Sequence, residues 1–84
     1  MTRVAKLFAH LVAYPGAERS FRDFERVVLA IGYVLQRTTG SHRHYRHPKV
    51  PTVLTLSPKN GNAAIYQVRD FVAICEEHCL SVDE

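Results

Sequence analysis

No run of apolar residues in this chain approaches the roughly 18 to 20 needed to span a membrane. The opening stretch, residues 1–20, also lacks the basic start, long apolar block and small-residue cleavage site of a secretory signal. Both absences lead to the expectation of a cytoplasmic protein with no membrane partner. Cysteine is scarce as well: Cys75 and Cys79 are the only two, four apart in a segment that reads as helix. Side chains at that spacing project in parallel and make poor disulfide geometry, so a reducing compartment and two buried core thiols are expected.

The absence with the largest consequence is of acids. All eight Asp and Glu lie at or before Glu25 or at or after Asp70, while the span from Arg26 to Arg69 holds seven Lys or Arg and no carboxylate. The formal net charge of +3 therefore understates the positive potential in the middle of the fold. Such a field favours a polyanion and gives fast, salt-sensitive association. No internal repeat or low-complexity tract is present, and 84 residues with 46% hydrophobic content suffice for one core.

What is present reads as alternating local patterns. Val4, Leu7, Phe8, Leu11 and Val12 fall at helical spacing, and Tyr14-Pro15-Gly16 ends that segment. Ser20 has the place of an N-cap, with Asp23 three residues on as a capping-box variant. Phe21, Phe24, Val27, Val28 and Ile31 form the apolar face of a second helix, closed by Gly32. Residues 33–37 are rich in strand formers, 38–41 are turn-like, and 42–47 alternate around Tyr45 until Pro48, which predicts a hairpin. Residues 51–56 supply a third strand with Leu54 and Leu56 on one face. Residues 57–62 read as a loop, and a last helix over residues 64–79 carries an apolar stripe of Ile65, Val68, Val72, Cys75 and Cys79. The order α-α-β-β-β-α predicts an α+β fold with a three-stranded antiparallel sheet covered by helices.

The chemistry concentrates in residues 37–48, where three histidines and three arginines stand with no acid near them in sequence. On an extended strand His42, His44 and Arg46 share one face, and Arg43, Tyr45 and His47 share the other. Tyr45 is the natural core member, so His42, His44 and Arg46 are expected to point outward unless a bulge shifts the register. Cutting RNA without a metal needs a proton-transfer group at the 2′-OH, cations on the scissile phosphate and a donor for the departing 5′ oxygen. Histidine suits the first task. Placed after the Gly40-Ser41 turn, His42 can approach a backbone closely while the turn's N–H groups or the Ser41 hydroxyl hold a phosphate oxygen. Arg37, Arg43, Arg46 and Lys59, with His44, are the candidates for RNA contact.

Other readings stand beside this one. The same basic face could dock on double-stranded or structured RNA without cutting it, since shape-reading modules need only phosphate and 2′-OH contacts. It could also meet an acidic protein. His42, His44 and His47 could share a metal, but the interleaved arginines and the lack of a carboxylate to complete the site argue against one. Cys75, His78 and Cys79 form a second possible ligand group, for which core packing is the simpler reading. No metal and no small-molecule cofactor are expected.

The runs Phe21-Arg22-Asp23-Phe24-Glu25, Gly32-Tyr33, Arg37-Thr38-Thr39-Gly40-Ser41-His42 and Tyr66-Gln67-Val68-Arg69, in this order, resemble the HicA toxins of bacterial toxin–antitoxin systems. The resemblance covers roughly residues 21–80, and residues 61–69 are similar to one branch of that family. It implies a fold like a double-stranded-RNA-binding domain, and an endoribonuclease that cleaves mRNA until a HicB-like antitoxin covers its site. It also implies that His42 is the catalytic residue, flanked by Gly40 and Ser41 in the active-site turn. The loop at residues 57–61 departs from the pattern, because it lacks the proline–histidine pair that some members carry. Residues 1–84 are then expected to form one domain, with residues 1–19 as a helical extension and 20–80 as its core.

Overall fold

The computed structural model describes residues 3–82. Its elements follow the expected order: α1 (Arg3–Ala13), α2 (Phe21–Ile31), β1 (Val34–Thr39), β2 (His42–His47), β3 (Val50–Leu56) and α3 (Ile65–Glu77). The strands form an antiparallel meander in the order β1-β2-β3. One face of the sheet, through Tyr45, Leu54 and Leu56, joins a core built with Phe24, Val27, Val28, Val68, Phe71 and Leu11 of the helices. Among the described residues no helix packs on the other face. Among the described residues no helix is long and apolar enough to cross a membrane.

Helix α2 starts and stops where its residue types require. The Ser20 side chain accepts a hydrogen bond from the Asp23 N–H at 3.1 Å, which satisfies one orphan donor of the first turn and contributes about 1 kcal/mol. Gly32 ends the helix at φ +118°, and a Cβ there would lie 2.9 Å from His47 Nε2. Both the dihedral and the close approach require glycine at this position. All five apolar residues expected on the inner face of α2 are buried. In α1, Leu11 is buried and Val4, Leu7 and Phe8 pack partly against the core, but Val12 turns outward.

The expected stripe of α3 is corrected by the structure. Phe71 and Gln67 are buried with Val68, Val72 and Cys75, whereas Ile65 is exposed at the helix start. The helix also ends sooner than expected. His78 caps it, and Cys79 follows at φ +55°, so the turn throws Cys79 to the surface while Leu80 returns to the core. Only one of the two thiols is therefore a core residue.

Burial, reinforced by the Glu76 charge, pushes the Cys75 thiol up to about 12. The folded chain keeps this proton where the unfolded chain, with a thiol near its ordinary value of 9, releases it. Stability from this group is thus complete below pH 9 and declines as pH rises through about 9 to 12, by up to ~1.4 kcal/mol per pH unit. Urea midpoints of the wild type and Cys75→Ala should differ at pH 8 and draw together by pH 10.5. A gap that stays constant would mean that the thiol does not titrate differently on folding.

Candidate functional site

The site is assembled on the uncovered face of the sheet. Strands β1 and β2 are joined by Gly40 and Ser41 alone; Gly40 takes φ +59° and Ser41 stays at negative φ, the sign pattern of a type II′ hairpin turn. His42 is the first residue after this turn, opposite Thr39, and its side chain is exposed. Residues 42–47 alternate as the pattern predicts: Tyr45 and His47 are buried, and His42 and Arg46 are exposed.

The register shifts twice: between β2 and β3, where Tyr45 pairs with Leu54 but His47 with Val50, and by a bulge in β1. Leu35 pairs with Tyr45 and Arg37 with His44, so Gln36 is an extra residue between them. In a regular strand Arg37, two residues on, would share the face of Leu35; the bulge at Gln36 turns Arg37 to the outer face, beside His44. Arg37, His44 and Arg46 consequently line one shallow groove with Gln36, Val53 and Thr55. The ring of His44 is fixed there by Nδ1, 3.1 Å from the Thr55 hydroxyl. Arg46 Nη1 donates to the Pro51 carbonyl oxygen at 3.2 Å. The three strands contain no Asp or Glu, so no strand carboxylate offsets the cations of the outer face, on which Val34 and Val53 are also exposed.

Arg43 is not part of that groove. The expectation that no acid stands near the hairpin fails in three dimensions, because Glu25 of α2 reaches the inner side of β2. Arg43 Nη1 donates to Glu25 Oε2 at 2.9 Å, and its guanidinium lies 5.0 Å from the centre of the Phe21 ring. The buried Tyr45 hydroxyl donates to the same carboxylate oxygen. The hydrogen bond to Glu25 raises the Arg43 pKa further, and burial together with Glu25 holds the Tyr45 hydroxyl well above the usual tyrosine range. This trio fastens β2 to α2.

His47 is equally committed. Its Nδ1 accepts from the Lys49 N–H at 3.0 Å, which leaves Nε2 to carry the proton and donate to the Ile31 carbonyl oxygen at 3.1 Å. His47 and His42 thus lie on opposite sides of the sheet, and the three histidines do not converge. No group of three His, Cys, Asp or Glu side chains able to hold a metal occurs among the described residues.

Two features of the site were not read from the sequence. His42 Nδ1 lies 2.7 Å from the Ser57 hydroxyl, just beyond the end of β3. Residues 59–62, read only as loop, form a tight hairpin: Lys59 and Asn62 exchange backbone hydrogen bonds of 2.8 and 3.0 Å, with Asn60 and Gly61 both at positive φ. Asn-Gly is the strongest short hairpin signal, and it was legible in the sequence. The hairpin is tied to the start of α2 by Phe21 N–H to Gly61 O and Ala63 N–H to Arg19 O, at 2.9 and 3.0 Å. Lys59 stands exposed on it, two residues after Ser57.

A model of the family described as HicA toxin of bacterial toxin–antitoxin covers residues 21–76, from the start of α2 almost to the end of α3. No curated protein matches significantly, and no solved structure does.

Proposed function

The chain belongs to the HicA family, toxins of bacterial toxin–antitoxin systems, and from that premise we propose that it is an endoribonuclease that cuts mRNA without a metal. The observation that carries the reading is an exposed His42 on a glycine-serine turn, at the end of a sheet face that holds Arg37, His44 and Arg46 and no carboxylate. Gly40 and Ser41 form the active-site turn. Arg37, Arg46 and Lys59 hold phosphates, with His44 beside them. Arg43, which gives one guanidinium nitrogen to Glu25, is the least free of the candidate cations.

In the reaction the 2′-OH loses its proton and its oxygen forms a bond to phosphorus. The bond from phosphorus to the 5′ oxygen breaks, and that oxygen gains a proton. His42 carries one of these two transfers as general acid or base. The products are a 2′,3′-cyclic phosphate, or the 3′-phosphate formed by its hydrolysis, and a 5′-OH end. A HicB-like antitoxin neutralises the toxin by covering His42 and the basic face.

The test is incubation of the purified protein with mixed RNA in excess chelator, followed by chemical analysis of the new ends. Cyclic or 3′-phosphate together with 5′-OH is expected. Intact RNA despite measurable binding would instead identify a binding module for structured RNA. With Arg37, Arg46 and Lys59 on phosphates, the logarithm of the binding constant for single strands should fall against log salt with a slope of roughly −2. A flat salt response would remove these cations from the interface.

A further inference from the structure

Resting on the ribonuclease reading, we propose that Ser57 is the positioning residue of His42: its hydroxyl holds the imidazole through Nδ1 and leaves Nε2 as the atom that exchanges protons with RNA. His42 opens β2 and Ser57 follows the end of β3, 15 residues on, yet Ser57 Oγ and His42 Nδ1 approach to 2.7 Å. An exposed imidazole with no such partner rotates about two side-chain bonds and offers either nitrogen to the substrate. The hydroxyl removes that freedom.

Ser57 is itself held. Its backbone N–H donates to Gln67 Oε1 at 3.2 Å, and Gln67 is a buried residue of α3 whose own amide nitrogen donates to the Tyr66 hydroxyl at 3.3 Å. A glutamine among the buried residues Val68, Phe71, Val72 and Cys75 has no packing reason to be there. Its amide oxygen fixes the end of β3, and with it the height of the Ser57 hydroxyl above the sheet. The path from the core of α3 to the exposed imidazole thus runs through Gln67, Ser57 and His42.

A hydroxyl also suits a histidine that must act in both protonation states. Ser57 accepts from Nδ1–H both when Nε2 is the free base and when Nε2 has taken up a proton, so the contact survives the transfer. A carboxylate in the same place would also accept, but would favour the charged imidazolium throughout the cycle. The ring keeps its place while the proton moves.

The experiment compares the wild type, Ser57→Ala, Ser57→Thr and His42→Ala in two assays. Cleavage of RNA in chelator across pH should show kcat of Ser57→Ala reduced by roughly tenfold to a hundredfold with KM unchanged and the pH profile displaced. Ser57→Thr, which keeps the hydroxyl, should recover most of the rate. Nitrogen NMR of the His42 ring should show in Ser57→Ala the averaged signals of an unconstrained imidazole, distinct from those of the wild type and of Ser57→Thr. Ser57→Ala that cuts with the wild-type kcat and pH profile, in a protein whose His42→Ala variant is inactive, overturns the proposal and leaves the ribonuclease reading intact. Wild-type protein that leaves RNA whole overturns both, and unchanged ring signals in Ser57→Ala overturn the contact itself.

Discussion

Replacing His42 with alanine is expected to lower RNA cleavage by about 10² to 10⁴-fold, the range over which a positioned proton-transfer group contributes. That loss corresponds to roughly 3 to 5 kcal/mol of transition-state stabilisation, at 1.36 kcal/mol for each factor of ten. Folding should hardly change. His42 is exposed, and the one side-chain hydrogen bond it makes among the described residues is with the Ser57 hydroxyl; surface substitutions of this kind usually shift stability by no more than about 0.5 kcal/mol. RNA affinity should also persist, because the phosphate contacts belong to Arg37, Arg46 and Lys59. Arg37→Ala and Arg46→Ala should show the complementary pattern, weaker binding with a turnover reduced far less. Single-turnover cleavage in chelator, urea midpoints and RNA affinity measured on the same preparations separate these effects. A His42→Ala protein that cuts at the wild-type rate would remove His42 from the chemistry and return the basic face to a binding role.

How much of this site could be read in advance follows from the distance over which each contact acts. The outward placing of His42, His44 and Arg46 is a period-two property of one strand, anchored by a single large apolar residue, Tyr45, so six consecutive residues sufficed. The cap at Ser20 and the left-handed Gly32 were legible for the same reason, since each depends on residues within four positions. Contacts between elements were not. Glu25 lies in α2, 18 residues from Arg43, and nothing in the hairpin sequence announces that a carboxylate will arrive beneath it. Ser57 is hidden likewise, because its meeting with His42 depends on the register of β3 against β2. Arg37 reached the outer face only through the bulge at Gln36, a one-residue insertion whose effect is to flip the side chain that follows. The sequence pattern thus identified which residue types carry charge and chemistry, and the pairing of strands decided which of them meet.

Phe71→Ala should be the most damaging of the core substitutions, at about 3 to 5 kcal/mol. Phe71 is fully buried, meets Phe24 edge-to-face at 5.4 Å between ring centres and touches the Tyr33 ring at 6.1 Å, so it joins α3 to α2 and to the entry of β1. For 84 residues at about 0.05 to 0.15 kcal/mol each, total stability is roughly 4 to 13 kcal/mol. The variant therefore loses a large share of it, and a drop in Tm of about 15 °C or more is expected. Ile65→Ala provides the contrast. The three-and-four spacing placed Ile65 and Cys79 at the ends of the core stripe, but apolar spacing alone does not fix which side of a short helix faces inward. The larger ring of Phe71 removes more apolar surface from water than Ile65 would, and a helix rotated to bury Phe71 carries Ile65 outward. Ile65→Ala should cost less than about 1 kcal/mol. If thermal unfolding instead found Ile65→Ala as damaging as Phe71→Ala, the rotation of α3 would be wrong. Gln67 would then no longer face the end of β3, and the support beneath Ser57 and His42 would go with it.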